Sequence, residues 1–294
     1  MRIWLEYAAA RVVVATLAVG PRSWAERLAR CYVGLLDRAI PRLRRIAVKN
    51  VRMALPELNA QEQARIVDGS FHSIARVLVA LARFPQIHKE NVDQWIRYDG
   101  FEHFEACMRE GHGLLFATAH LGNWELSAFA HAILSGQPMH VVVRALDNPR
   151  IDALVEARRR MSGNRVIEKR DYARGILRAL SNNEAVGVLI DQNAGLREGT
   201  FIDFFGVQAC VGTGFAKLAA HSQAPIIPGF ALWSGQEQRY ILKFYPPIHP
   251  TGDAEADTRR IHAQLESVIR EYPDQWLWMH RRWKTRPPGE PPLY

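Results

Sequence analysis

A short apolar run that ends in a polar motif constrains the fold of this chain more than any other feature. Residues 113–117, Gly-Leu-Leu-Phe-Ala, have the length and composition of a buried strand. Residues 118–125, Thr-Ala-His-Leu-Gly-Asn-Trp-Glu, follow directly, and a run of helical character comes next. The pattern predicts His120 at the end of a central strand. It also predicts Asn123 as the cap of the next helix, with Glu125 in the first turn.

Two later segments repeat this pattern of an apolar strand that ends in polar residues. Residues 139–144 end in Arg144, and residues 185–192 end in Asp191 and Gln192. Helical segments separate these runs, and this alternation predicts an α/β fold with a central β-sheet flanked by helices. Because α/β sheets bind ligands beyond the carboxyl ends of their strands, we expect a functional site along that edge.

The offset from His120 to Glu125 suggests acid–base chemistry. Residues five apart do not share a face of one helix, but a strand–loop–helix turn can bring them together. An imidazole held by a carboxylate acts as a general base. Asp191 could orient His120 or bind a substrate hydroxyl, and the sequence leaves both roles open. A guanidinium at Arg144 could hold a phosphate or carboxylate, or lie free in solvent.

Composition restricts the partners and excludes some cofactors. The 294 residues carry a formal charge of +8, which suits phospholipid headgroups, phosphorylated glycolipids, acidic carrier proteins or nucleic acid. The three cysteines are scattered, so we expect reduced thiols and no disulfide. No residues stand at zinc-ligand spacing, and no Walker A or dinucleotide motif occurs, so we expect neither a metal nor another cofactor.

Within the N-terminal segment 1–20, residues 3–19 form a predicted apolar helix that carries Glu6 and Arg11. At about 1.5 Å per residue its length is roughly 25 Å, short of a hydrocarbon core of about 30 Å. We therefore expect an interfacial or shallowly inserted anchor, with a helix packed on the domain as the alternative. The basic cluster at residues 42–52 suits an anionic membrane surface or a solvated helix face.

Near the C-terminus, residues 276–284 alternate aromatic and cationic side chains. This composition suits a membrane surface at the level of the headgroups, single-stranded nucleic acid, or an Arg–Trp stack that closes the core. No nucleic-acid module is present elsewhere, so we expect no nucleic-acid partner. We expect a single domain over residues 21–286 and a loose tail at 287–294.

His-Leu-Gly-Asn-Trp-Glu at residues 120–125 and the run at 276–284 resemble the late acyltransferases of lipid A biosynthesis, the lauroyl and myristoyl transferases. These enzymes belong to the superfamily of glycerolipid acyltransferases, in which a His is followed after four residues by Glu or Asp. The resemblance extends over about residues 45–284. Further matches are Arg144, Asn148, Pro149, Asp191, Gln192 and the Phe-Phe-Gly of residues 204–206.

The resemblance implies a mixed central sheet like that of glycerol-3-phosphate acyltransferase. It also implies transfer of an acyl chain from the thioester of acyl-carrier protein or acyl-CoA to a glycolipid such as a lipid A precursor. The expected location is the cytoplasmic face of a bacterial inner membrane. A phosphatidylinositol mannoside acyltransferase and a non-catalytic lipid-binding protein remain as alternatives.

In this reaction His120 would act as the base, and Glu125 would orient and charge-stabilise the imidazole. Backbone N–H groups near Gly122 and Asn123, together with Arg144, would stabilise the oxyanion. The resemblance implies that Phe205 and Gly206 line the acyl and substrate cleft. The full set of predicted substrate-binding residues is Gly122, Asn123, Arg144, Asn148, Asp191, Gln192, Phe205 and Gly206.

Overall fold

The computed structural model describes residues 1–168 and 172–294. Its helices are α1 (Arg2–Ala18), α2 (Arg22–Ala39), α3 (Pro41–Ala54), α4 (Ala60–Arg83), α5 (Phe101–Arg109), α6 (Trp124–Ser135), α7 (Pro149–Arg160), α8 (Tyr172–Ser181), α9 (Gly214–Ser222) and α10 (Ala254–Glu271). Its strands are β1 (Ile96–Asp99), β2 (Leu114–Thr118), β3 (His140–Val143), β4 (Arg165–Glu168), β5 (Ala185–Leu189), β6 (Gly199–Phe204), β7 (Val207–Gly212), β8 (Ile226–Ser234) and β9 (Arg239–Phe244).

Seven strands form one mixed sheet in the order β1-β9-β8-β2-β5-β3-β4. Strands β8, β2, β5, β3 and β4 are parallel, whereas β9 is antiparallel to β8 and parallel to β1. Strands β6 and β7 form a separate hairpin. The predicted α/β fold with a central sheet between helices is confirmed. The carboxyl ends of β2, β5 and β3 consequently lie side by side at one edge, which we call the catalytic edge.

Local sequence signals explain how the chain leaves β2. Strand β2 is buried along most of its length, as its apolar run predicts. The side-chain oxygen of Asn123 accepts a hydrogen bond from Leu126 N at 3.0 Å, so the predicted cap of α6 is confirmed. Gly122 has a φ of +63°, and a Cβ there would lie 1.9 Å from the carbonyl oxygen of Ala231. Only glycine permits this close turn between strand and helix.

Helix α1 is built into the domain at both of its ends. At its C-terminus, the buried guanidinium of Arg83 donates to the carbonyl oxygens of Leu17, Val19 and Gly20 at 2.8–2.9 Å. These are carbonyls that a helix end leaves without partners. At its N-terminus, Asn148 donates to Ile3 O at 2.9 Å, and the Arg150 guanidinium lies 3.4 Å from the centre of the Trp4 ring.

Within the part of the chain that the structure describes, no helix combines the length and the apolar character needed to cross a membrane. Several large apolar side chains of α1 and α2 are nevertheless exposed, namely Ile3, Trp4, Leu5, Val12, Trp24, Leu35 and Leu36. Contact of this segment with a membrane stays a prediction.

The aromatic run near the C-terminus belongs to the core. Trp276, Trp278, Arg282 and Trp283 are at most 2% exposed. For these residues the interpretation as a headgroup or nucleic-acid surface is wrong, and closure of the core is what the structure contains. The Arg282 guanidinium stacks over the ring of Phe204 at 5.2 Å rather than on a tryptophan. Large indoles bury extensive apolar area once their N–H groups find acceptors, as Trp278 Nε1 does at Pro273 O.

Candidate active site

His120 and Asp191 meet at the catalytic edge because β2 and β5 are neighbours and end in register. His120 Nδ1 lies 2.9 Å from Asp191 Oδ1, and the backbone N–H of His120 donates to Asp191 Oδ2 at 3.0 Å. Of the two roles left open for Asp191, contact with His120 is the one that the geometry displays. In neutral histidine this pairing places the proton on Nδ1 and leaves Nε2 as an acceptor.

The pair is electrostatically coupled. Burial alone would raise the pKa of Asp191, but the charge and hydrogen bonds of His120, with a bond from Trp276, lower it to about 2. Burial also opposes the charged form of His120. The charge and hydrogen bond of Asp191 outweigh that effect. The charge of Glu125 adds to them and the charge of Arg159 opposes them, and the net result is a pKa of His120 raised above 6.5. The site therefore stabilises an imidazolium.

The C-terminal run fixes this pair in place. Trp276 Nε1 donates to Asp191 Oδ2 at 2.8 Å. The fully buried Arg282 donates to the carbonyl oxygens of Cys210 at 2.9 Å and Gln192 at 3.4 Å. Burial lowers the pKa of Arg282 to about 10, so it remains cationic at neutral pH. Both residues hold the segment that follows β5 in the position that brings Asp191 to His120.

Glu125 does not fill the predicted position beside the imidazole. Its carboxylate accepts two hydrogen bonds from Arg159, one from Nε at 2.9 Å and one from Nη2 at 2.5 Å. The side chains of Glu125 and Arg159 are only 11% and 18% exposed. The first turn of α6 directs Glu125 towards the end of α7, where its carboxylate pairs with two nitrogens of the half-buried Arg159 guanidinium. The expectation that Glu125 orients His120 by direct contact is therefore wrong, and Asp191 makes that contact.

An apolar cavity lies between α6 and the face of the sheet. Trp124, Glu125 and Arg159 are among its lining residues, and the rings of His120 and Trp124 are 5.1 Å apart. Gly187 in β5 allows the side chain of Met139 to pack against this wall, because a Cβ at residue 187 would lie only 2.8 Å from Met139 Cε. The other apolar lining residues include Phe116, Phe129, Met139, Val142, Leu242 and Phe244. This mainly apolar lining suits a hydrocarbon chain better than a polar ligand.

The backbone N–H groups expected to stabilise an oxyanion are already bonded. Gly122 N donates to Gln275 O at 3.0 Å, and Asn123 N donates to Ala231 O at 2.9 Å. Neither group is free for substrate, because the tight turn after β2 presses both against neighbouring backbone. The predicted role of Gly122 and Asn123 in oxyanion binding is therefore corrected to a structural one.

Two predicted polar residues do lie at the catalytic edge. Gln192 is exposed, and its Nε2 lies 3.5 Å from His120 Nε2. Arg144 follows β3, and its side chain is 78% exposed; its ion-pair contact among the described residues is a long one, 3.7 Å to Asp147. Gln192 thus borders the free face of the imidazole, and Arg144 offers a largely hydrated cation at the same edge.

The remaining predicted binding residues lie elsewhere. Asn148 caps α7 and also donates to Ile3 O and to the Glu6 carboxylate. Phe205 is buried against Trp276, with ring centres 6.2 Å apart, and Gly206 forms the turn between β6 and β7. Neither Phe205 nor Gly206 is among the described residues that line the apolar cavity. Their expected place in an acyl cleft is corrected to core packing and a turn.

Sequence reasoning missed the partners of the predicted residues. No motif marks Arg159 as the partner of Glu125, and for Trp276 the composition of residues 276–284 suits a surface or the core. The run of three arginines at residues 158–160 gave no local signal that its middle member is buried. Among the described residues, no group of three or more His, Cys, Asp or Glu side chains forms a possible metal site.

Removal of the Asp191 charge should lower the pKa of His120. In Asp191→Asn the imidazolium loses its ion pair, and burial then favours the neutral ring, so we expect His120 to titrate at a lower pH than in the wild type. Titration of the His120 ring protons by NMR measures this shift. Glu105→Gln, which removes an exposed carboxylate on α5, serves as the control. An unchanged His120 pKa in Asp191→Asn would contradict the assigned pairing.

Comparison with known proteins places this arrangement in a family. The family model for bacterial lipid A biosynthesis acyltransferases matches residues 1–285. The lipid A biosynthesis lauroyltransferase of Escherichia coli K12 is 30% identical over 268 residues, which cover 90% of this chain and 87% of that protein. The palmitoleoyltransferase of the same strain is 29% identical over 90% of this chain and 88% of its own length. The corresponding figures for its myristoyltransferase are 26%, 84% and 77%. The chain belongs to the bacterial lipid A biosynthesis acyltransferase family and is an O-acyltransferase.

Proposed function

We propose that this enzyme transfers a fatty acyl chain from a carrier-protein thioester to a hydroxyl of a lipid A precursor, with His120 as the general base. The observation that carries the proposal is an imidazole held at Nδ1 by Asp191, whose ring lies 5.1 Å from the ring of Trp124, a residue that lines an apolar cavity. The family relatives are named for transfer of lauroyl, palmitoleoyl and myristoyl groups in lipid A biosynthesis.

In the proposed reaction, His120 Nε2 takes the proton from the acceptor hydroxyl as the oxygen attacks the thioester carbonyl. The tetrahedral intermediate then collapses, and the carrier thiol leaves with the proton from the imidazolium. Asp191 holds the ring and stabilises its charge throughout. Direct transfer is favoured over an acyl-enzyme, because burial raises the pKa of the Cys107 thiol to about 11 and also raises that of Cys210.

Gln192 and Arg144 supply the polar contacts of this scheme. The amide of Gln192 lies next to His120 Nε2, where the acceptor oxygen and the developing oxyanion must be, so its N–H group is the proposed oxyanion donor. Arg144 lies beyond the end of the neighbouring strand, and its hydrated guanidinium is suited to a phosphate of the glycolipid.

The acceptor is a membrane lipid, and the surface near the catalytic edge fits such an approach. The exposed Ile3, Trp4 and Leu5 lie at the end of α1 that Asn148 ties to the start of α7, close to the end of β3. We propose that α1 and the exposed apolar side chains of α2 rest in the cytoplasmic leaflet of the inner membrane. The catalytic edge then meets the headgroups.

Loss of the base should abolish most of the activity. We expect His120→Ala to lower the rate of acyl transfer by about 10² to 10⁴. Transfer of a labelled acyl chain from acyl-carrier protein to a lipid A precursor in detergent measures it. His112→Ala, at an exposed histidine, should transfer like the wild type. Full activity of His120→Ala would remove His120 from the proposed role.

Glu125 is proposed to act on His120 through its charge. Variants of Glu125 and of its partner Arg159 distinguish this electrostatic role from a role in packing. Glu125→Gln removes a negative charge near the imidazolium and leaves a buried cation unpaired, so we expect kcat to fall. Glu125→Gln with Arg159→Met removes both charges and restores an apolar fill.

We expect this double variant to remain below the wild type in kcat while it unfolds at a similar temperature, because the charge of Glu125 raises the pKa of His120 more than the charge of Arg159 lowers it. Recovery of wild-type kcat would assign Glu125 only to holding Arg159.

The apolar cavity should set the length of the acyl chain. In Gly187→Val the new side chain enters the space beside Met139, so we expect the preferred donor to shorten by about two carbons. Competition among carrier-protein thioesters of different chain length measures the preference. Gly235→Val adds the same side chain on an exposed turn where a Cβ meets nothing within 4 Å, and it should leave the preference unchanged. Equal preferences in the two variants would place the chain elsewhere.

A further inference from the structure

Helix α3 carries a stripe of four exposed cations along one face. Arg42, Arg45, Lys49 and Arg52 stand at positions i, i+3, i+7 and i+10, and they extend over about 15 Å of the helix. None of the four has an acidic partner within the part of the chain that the structure describes. Arg44, between them, is instead bridged to Asp37 and Asp68. We call Arg42, Arg45, Lys49 and Arg52 the α3 stripe.

The stripe lies on an open surface that α3 itself forms. On this surface Arg45, Lys49 and Arg52, together with Arg44, surround the half-buried side chains of Val48 and Met53. Helix α3, all of whose residues the structure describes, exposes no large apolar side chain, in contrast to α1 and α2. A cationic surface without exposed large apolar side chains suits electrostatic contact with an acidic protein better than insertion into a bilayer.

The inner face of α3 touches the segments that build the catalytic edge. Asn50 is buried and donates to Trp278 O at 2.7 Å and to His280 O at 2.8 Å. The ring of His280 accepts a hydrogen bond from Asn193 N at 3.2 Å, and Asn193 follows Gln192. These contacts connect α3, through the segment that contains Trp278 and His280, to the loop beside His120.

We propose that the α3 stripe is the docking site of a small acidic carrier protein that delivers the acyl chain as a thioester on a flexible arm. This inference rests on the proposed function, because it supplies the donor for that reaction. Charge complementarity is its main support, since the four cations face solvent and have no acidic partners among residues 1–168 and 172–294.

The test is binding of acyl-carrier protein to two variants with the same change in formal charge. Arg45→Glu with Lys49→Glu reverses the middle of the stripe at exposed positions. Arg109→Glu with Arg178→Glu reverses two exposed cations on α5 and α8. Fluorescence anisotropy of a labelled carrier protein at low salt gives Kd. We expect about a tenfold or greater loss of affinity in the stripe variant and wild-type affinity in the control variant.

Transfer assays with two donors separate this proposal from the proposed function. For the stripe variant, kcat/KM with the carrier-protein donor should fall at least about tenfold relative to kcat/KM with acyl-pantetheine, which lacks the protein. An unchanged Kd in the stripe variant would overturn the docking site. The docking site would also be overturned if the stripe variant lost binding to anionic vesicles but bound the carrier protein normally, because the stripe would then contact the membrane. Absence of transfer from both donors by the wild type, with carrier binding intact, would contradict the proposed function and leave the docking site standing.

Discussion

The carboxylate of Asp191 is the interaction on which the catalytic edge depends. It is buried, and it accepts hydrogen bonds from the backbone and ring of His120 and from the indole of Trp276. These donors come from the end of β2 and from a segment 85 residues beyond Asp191. Loss of one donor would leave a buried charge poorly paired, which is strongly unfavourable. The base is therefore formed by the complete fold and not by the local motif around it.

The sequence predicted the framework of the site well, because strand patterns are local. The apolar runs before His120, Arg144 and Asp191 became β2, β3 and β5, and parallel pairing placed their ends at one edge. The cap at Asn123 also followed from residue type and position. These features depend on backbone propensity and side-chain alternation, which neighbouring residues largely determine.

The partners of these residues could not be predicted, because they depend on how distant elements pack. Glu125 faces Arg159 because the last turn of α7 lies near the first turn of α6. No spacing within residues 118–125 encodes that contact. The same holds for Trp276 and Arg282, whose alternation of rings and cations would suit a surface or a core equally. Burial decided between the two, and burial is a property of the assembled layers rather than of the run itself.

The attachment of α1 at both ends has a practical consequence for anyone preparing this enzyme without detergent. Deletion of the first twenty residues would remove all three carbonyl acceptors of the buried Arg83 and the backbone acceptor of Asn148. It would also uncover the pocket that Leu17 fills. A water-soluble form is better sought by polar replacement of the outward-facing Leu5 and Val12, because these side chains can change while the helix keeps its anchors.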